Sequence, residues 1–322
     1  MSFAFTSRLP LSRHAVDRDG EARATPGLLN TLQTDAGTRL LVLWRGSALM
    51  EAAAPARLRL LAPDRVPAGE FRLYLGRSLA EDAPEPVGTP LVAAVLTDEE
   101  ALALEPDESL WVSLRPVATT LSDRDAGLFT ETLGVVNWHD SHAHCPRCGA
   151  ATLVENAGWT RRCPDCGGQV FPRTDPAVIV LITDADDRIL LGSNALWEGN
   201  RYSLLAGFVE PGESLEAAVI REMFEESGLR VADPVYLGSQ PWPFPASIMF
   251  GFTARLADGQ APAALLPDGE EILDLRWFSR DELRASGDVI ILPGRSSIAR
   301  AIIEHWLGEP LEFGPDKAHG WR

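Results

Sequence analysis

The chain has 322 residues, 45% hydrophobic and 23% charged, with a formal net charge of −17 at pH 7. That length accommodates two domains with separate cores, and the composition is that of an ordinary globular protein. The acidity excludes a general polyanion binder, which would draw its affinity from basic contacts to phosphate, but it leaves room for a small phosphorylated substrate neutralised by metal ions.

Residues 1 to about 122 contain short apolar runs separated by turn-formers: LLVLW (40–44), ARLRLLA (56–62), EFRLYLG (70–76), LVAAVL (91–96) and SLWVSL (109–114). Their spacing predicts a small, mostly antiparallel β domain. An Asp-rich start after Ser122 and the run LFTETLGVVNWHDSH predict a connecting helix over 123–143. The four cysteines follow. Cys145, Cys148, Cys163 and Cys166 form a C-x2-C-x14-C-x2-C array with none left over, the spacing of a zinc ribbon in which four thiolates close a tetrahedral structural site. We expect one structural Zn2+ here, within a ribbon over 144–170.

From 171 to 310 the pattern changes to strands interspersed with two helices. A continuous apolar run from Ala177 to Ile182 predicts a buried strand, then a turn at Asp184–Asp187 and a second strand. Further strands fit YSLLAGFV, VYLGSQ, SIMFGFTARL and ILDLRWF, and a helix over Ser296–Leu307 closes the domain. A mixed sheet covered on both faces, an α/β/α sandwich, accounts for this order. Residues 311–322 read as a solvated tail. No apolar run approaches the roughly 18 residues of a membrane span, and MSFAFTSRLPLSRHAV lacks the features of a secretory signal. We expect a cytoplasmic protein with no membrane partner.

The most informative stretch is GFVEPGESLEAAVIREMFEESGL (207–229). Between Ser214 and Ser227 the apolar residues Ala217, Ile220, Met223 and Phe224 recur at helical spacing and define an expected buried face. Glu222, Glu225 and Glu226 fall within an arc of about 100° on the other side. Like charges one turn apart repel, so the cluster points to a cation. Carboxylates without His or Cys suit Mg2+ or Mn2+.

The spacing G-x5-E-x7-R-E-x-x-E-E-x-G resembles the signature box of the Nudix hydrolases, metal-dependent enzymes that cleave a diphosphate joining a nucleoside to a second group. The resemblance implies that Glu222 and Glu226 are metal ligands and Glu225 a ligand or base. It also implies a metal-facing carbonyl at Ala206 and a structural ion pair between Glu213 and Arg221.

Substrate choice must be read elsewhere. Ser239–Ser247 reads SQPWPFPAS, three prolines alternating with Trp242 and Phe244. Prolines stiffen such a loop, and aromatic faces can stack flat heterocycles. SQPWPFPxS looks like the hallmark of the NADH pyrophosphatase branch of the superfamily, as do the preceding zinc ribbon, NWH at 137–139 and PRTDPAVI at 172–179. Carried over, the resemblance gives Gln240, Pro241, Trp242, Pro243, Phe244, Pro245, Ala246 and Ser247 as the substrate loop. It makes Glu271 a further metal-binding carboxylate. Ala299, Phe171, Phe208 and Arg115 become substrate contacts, Phe171 standing where relatives often carry Tyr. Gly158 replaces an acidic contact of some relatives.

The implied reaction is hydrolysis of NADH to reduced nicotinamide mononucleotide and AMP, with two or three Mg2+ or Mn2+ ions and with Glu225 or Glu271 as base. NAD+ and the NAD cap of an RNA 5′ end contain the same diphosphate, so RNA decapping is also implied. A homodimer is implied as well. The rival within the class is a hydrolase of ADP-ribose or another nucleoside diphosphate derivative. From another class, Arg147, Arg161, Arg162 and Arg173 give the ribbon a local basic character, as in an inactive, RNA-binding regulator.

Overall fold

The structure is a computed structural model that describes residues 5–197, 199–287 and 289–311. The chain divides into two compact units, one comprising Arg13–Thr174 with Trp242–Ala246, the other comprising the remainder. Among the described residues no helix is long and apolar enough to cross a membrane.

In the first unit the apolar runs pair into one sheet of β1 (Val16–Asp17), β2 (Arg39–Trp44), β3 (Ser47–Leu49), β4 (Phe71–Ser78), β5 (Pro90–Val95) and β6 (Trp111–Ser113). The order is β1-β4-β5-β2-β3-β6. Every pairing is antiparallel except β2 with β5, which run parallel. The run ARLRLLA forms no strand, making only isolated bridges from Leu58 to Met50 and from Leu61 to Leu40. Prolines at 55 and 63 bracket it and cannot donate to a ladder.

Three short helices escaped the sequence reading, α1 (Leu28–Thr34), α2 (Asp98–Leu104) and α3 (Leu114–Val117). The second carried a legible signal, a capping box between Thr97 and Glu100. After α3 comes α4 (Asp123–Ser141), capped where Asp125 N–H donates to Ser122 Oγ at 3.2 Å. It is no exposed connector: Leu128, Phe129 and Trp138 are all at most 1% exposed. A three-stranded ribbon follows, β7 (Leu153–Glu155), β8 (Thr160–Arg162) and β9 (Gln169–Val170).

The second unit contains β10 (Asp175–Thr183), β11 (Ile189–Asn194), β12 (Leu205–Phe208), α5 (Leu215–Ser227), β13 (Val231–Trp242), β14 (Ser247–Leu256), β15 (Ile272–Phe278), α6 (Arg280–Ala285) and α7 (Ile298–Leu307). The sheet order is β13-β14-β10-β11-β15, with β12 paired antiparallel to β10. Successive residues of β10 enter opposite cores, as the two-residue period of a strand requires. Ile179 and Leu181 pack with Ile298, Ile302 and Ile303 of α7, whereas Val178, Val180 and Ile182 pack with Ala218, Val219 and Met223 of α5. Helices therefore cover both faces, the expected α/β/α sandwich.

α6 was not anticipated, though Ser279 and Glu282 spell its capping box. The expectation that everything up to residue 122 forms one N-terminal domain is corrected at its start. Leu9 is fully buried in the same core as α7, with Phe5 packed against it, and residues up to Ser12 belong to the second unit. The expected tail at 311–322 lies outside the described residues except for Leu311, which is buried in that core.

Candidate active site

α5 begins where Ala217 N–H donates to Ser214 Oγ at 3.2 Å, and it stops at Gly228, whose φ of 70° is the left-handed C-cap conformation. The face it buries is not the one the apolar spacing suggested. Ile220 and Phe224 are 45% and 47% exposed, Ala217 is exposed, and only Met223 of the four lies inside. The buried arc holds Ala218, Val219, Met223 and Glu226, so Glu226 points inward, whereas Glu222 is half-buried and Glu225 exposed. Gly207 makes this possible: a Cβ there would lie 2.0 Å from Glu222 Cδ. With only hydrogen at Gly207, the β12 backbone and the Glu222 carboxylate share one space.

Arg221 ties the acidic groups together. Its Nε and Nη2 donate to Glu213 Oε1 and Oε2 at 2.8 Å each, Nη1 donates at 2.8 Å to both Glu222 Oε1 and Glu225 Oε2, and Nη2 reaches the Phe208 carbonyl at 3.0 Å. The arginine thus neutralises part of the glutamate cluster as well as bracing the loop through Glu213. Its hydrogen bonds hold the Glu213 carboxyl down at about 2. Burial raises Glu222 above the usual carboxylate range.

Glu226 differs from its neighbours. It is 6% exposed and its Oε2 has no hydrogen-bond partner. Burial, reinforced by the charges of Glu271, Glu222 and Asp268, pushes its pKa up to about 9, against a backbone hydrogen bond from Ala206. An orphaned buried oxygen among like charges is costly, and a divalent cation is the group that would relieve it. The donor types, carboxylate and carbonyl oxygen, suit Mg2+ or Mn2+, although among the described residues three or more ligand atoms come within 4.8 Å of one another only at the four cysteines.

Glu271 is exposed and accepts from Asn194 Nδ2 at 3.3 Å. Asp268 sets the backbone of this segment: its Oδ1 accepts the N–H groups of Glu270, Glu271 and Ile272, each at 2.9 Å. Sequence reasoning missed Asp268 and Asn194. The run DGEE offered a signal for the first, since Asp commonly caps such turns.

The thiols of Cys145, Cys148, Cys163 and Cys166 lie within 4.8 Å of one another. Sγ–Sγ separations are 3.6 Å for Cys145–Cys166 and 3.4 Å for Cys148–Cys163. A tetrahedron with Zn–S bonds of about 2.3 Å has edges of about 3.8 Å, so the four fit zinc. Two of the ribbon's arginines are engaged within it, while Arg147 and Arg173 are exposed. Arg161 donates to His139 Nδ1 and to Thr152, and Arg162 donates twice to Glu155 at 2.8 Å. Neither guanidinium is left as a free patch for RNA. At Gly158, φ is 100° and a Cβ would meet Leu73 Cδ1 at 2.7 Å. Close packing, rather than a missing carboxylate alone, therefore rules out an acidic side chain at that position.

The proposed substrate residues scatter. Phe208 and Phe171 are 59% and 60% exposed and available for stacking. Gln240 is fully buried and donates to the Ser296 carbonyl at 3.0 Å, and Ala299 is 1% exposed in the core. Neither presents a side-chain surface to a ligand, which corrects their expected role as side-chain contacts. In the first unit, Trp242 and Phe244 meet edge-to-face with centroids 5.0 Å apart, and the Arg115 guanidinium lies 5.2 Å and 4.1 Å from their respective centroids. Arg115 Nε is buried without a partner, and burial alone lowers its pKa. Pro243 is buried, Pro245 exposed, and Pro241, Ala246 and Ser247 intermediate.

A glutamate-lined helix after a glycine-ended strand, on a mixed sheet preceded by a four-thiolate ribbon, defines a zinc-ribbon Nudix hydrolase. Family models agree: the NUDIX domain matches residues 173–294, the NADH pyrophosphatase zinc ribbon domain 140–171, and the NADH pyrophosphatase-like rudimentary NUDIX domain 37–138. A protein of Mycobacterium bovis named NAD-capped RNA hydrolase NudC is 40% identical over 313 residues, covering 89% of this chain and 96% of that protein. The human NAD-capped RNA hydrolase NUDT12 is 34% identical over 206 residues, covering 60% of this chain and 44% of its own length. A solved NUDIX hydrolase of Nitrosomonas europaea aligns at 23% identity with TM-score 0.40, covering 53% of this chain and 97% of that one. The chain belongs to the NADH pyrophosphatase branch of the Nudix hydrolases.

Proposed function

We propose that the chain hydrolyses the central diphosphate of NADH to reduced nicotinamide mononucleotide and AMP, and acts likewise on NAD+ and on the NAD cap of an RNA 5′ end. The single observation that carries the chemistry is Glu226, a buried carboxylate with an unpartnered Oε2 among Glu222, Glu271 and Asp268. The names of the relatives support the substrate class.

Glu222, Glu225, Glu226 and Glu271, with the Ala206 carbonyl, would hold two or three Mg2+ or Mn2+ ions. When bound, such ions neutralise diphosphate oxygens and lower the pKa of an attacking water. The chain's own part is positional and acid–base. Arg221 fixes the rotamers of Glu222 and Glu225 from one guanidinium, and Asp268 fixes the turn that presents Glu271. Either Glu225 or Glu271 accepts the water's proton as the phosphoanhydride bond breaks.

Phe208, Phe171, Trp242 and Phe244 offer faces to the ring systems, and Arg115, a half-buried cation, offers charge to a phosphate. Zinc in the ribbon holds structure and takes no part in the reaction, because four thiolates leave no open position. By family resemblance we also assign a cytoplasmic homodimer, testable by light scattering.

The test is incubation with Mg2+ and, separately, NADH, ADP-ribose and NAD-capped RNA, with products resolved by chromatography. We expect nicotinamide mononucleotide products from the NAD compounds, and faster turnover of NADH than of ADP-ribose. Preference for ADP-ribose would replace the reading with the general nucleoside-diphosphate hydrolase.

A further inference from the structure

Residues 241–245 read PWPFP, so Pro241, Pro243 and Pro245 bring no N–H to the loop. The Phe244 N–H reaches back to the Trp242 carbonyl at 2.7 Å, which leaves the carbonyls of Pro243 and Pro245 to find donors elsewhere. One side chain supplies both. Asn137 on α4 donates through Nδ2 to the Pro243 carbonyl at 3.0 Å and to the Pro245 carbonyl at 2.9 Å. A carboxamide carries two donors on one nitrogen, and two carbonyl acceptors fix which end of the amide faces the loop. Gly134, one turn earlier, lies against the same segment, where an added Cβ would touch Pro243 at 3.8 Å. Arg115 covers the two rings. Backbone and rings are therefore held by different elements of one unit.

We infer that Asn137 is a positioning residue for substrate selection, presetting the aromatic loop by clamping two proline carbonyls. The inference rests on the loop being the substrate-binding element proposed above. A loop already ordered loses less entropy when it closes on a ligand, and its two aromatic faces keep a fixed spacing. Without the clamp, both carbonyls turn to water and the rings sample other arrangements. Asn137 touches no reacting atom, so its effect falls on KM for the substrate whose rings the loop holds.

The experiment compares Asn137→Ala, the near-isosteric Asn137→Asp, Trp242→Ala and the double variant Asn137→Ala/Trp242→Ala. KM and kcat are measured on NADH and ADP-ribose, with zinc content and melting temperature as checks of folding. Two hydrogen bonds of ordinary net strength correspond to roughly a tenfold rise in KM for NADH. We expect a smaller change for ADP-ribose, and little change in kcat. Asp should behave like Ala, because a carboxylate cannot donate to carbonyls, and it serves if the Ala variant does not fold. The double variant should be no worse than Trp242→Ala alone. An NADH-to-ADP-ribose ratio within twofold of wild type in both Asn137 variants, or losses that multiply in the double variant, overturns the inference while leaving the loop reading intact. An unchanged ratio in Trp242→Ala instead removes the loop reading and the inference with it.

Discussion

The strands β4-β5-β2-β3-β6 of the first unit and β13-β14-β10-β11-β15 of the second run in the same order. Each series places its one parallel pair at the same step, β5 with β2 and β14 with β10, and continues through two antiparallel pairs. Each is then followed by two helices, α3 and α4 in one and α6 and α7 in the other. The difference lies in one connection. Between β11 and β13 the chain inserts β12 and α5, with Gly207 and the glutamates, whereas between β3 and β4 the only helical element is a single 3-10 turn at Pro63–Arg65. The shared sheet carries no chemistry. What the second unit adds is a strand with Gly207 next to its end and a helix whose Glu222 carboxylate fills the space a side chain there would need. What the first unit adds is Arg115 and Asn137 against the aromatic loop. On this account the inserted helix sets turnover and the aromatic loop sets selectivity.

The sharpest way to break that division is Glu226→Gln, which keeps side-chain size and removes the carboxylate proposed as a metal ligand. Turnover should fall by orders of magnitude, because the proposed metal activation of water would underlie the rate, while the melting temperature holds. Near-normal turnover would sink the assignment of the insert as the catalytic element.

The ribbon should respond in the opposite way. Cys163→Ser should release zinc and destabilise the protein by several kcal/mol, since a structural metal contributes folding free energy directly. Metal analysis of the native chain should find about one zinc, the number a single four-thiolate shell holds. Four oxidised cysteines and no zinc would contradict the closed shell.

A smaller effect sharpens the picture of the first unit. His139 is 7% exposed, with Nε2 at 2.8 Å from the Gly158 carbonyl and Nδ1 accepting from Arg161. Burial first, then Arg161, depresses it to about 4. The unfolded chain therefore binds the proton more readily, and this stabilisation is present above pH 6.5 and lost as pH falls through 4. On the same helix, burial raises Glu131 to about 7 against Arg18 and Arg23. Its stabilisation is present below pH 4.5 and lost as pH rises through 7. Each amounts to roughly 3 kcal/mol, and between pH 5 and 6 they oppose. Melting curves should show stability rising less with pH than wild type in His139→Gln, and more in Glu131→Gln. Parallel pH profiles in all three proteins would contradict the opposition.

The sequence made both clusters visible because spacing is local: two C-x-x-C knuckles and the box glutamates each lie within a few turns of chain. Orientation was less legible. An apolar stripe ordinarily marks the buried face of a helix, yet Ile220 and Phe224 face out, because Gly207 lets carboxylates occupy the inner side. Gln240 looked like a loop residue beside Trp242, but only the three-dimensional position of Ser296 reveals that its amide turns inward. Asn137 sat in a noted NWH run, and its role depends on carbonyls more than a hundred residues away. Leu9 joined a distant core for the same reason. No local pattern records such a contact.

The most direct test of the central claim is Mn2+ binding by equilibrium dialysis or electron paramagnetic resonance to zinc-loaded wild type and Glu226→Gln. The account predicts two or three Mn2+ ions on wild type in addition to the zinc, affinity weakened at least tenfold in the variant, and about one zinc retained in both. Equal Mn2+ binding by the two proteins would contradict it.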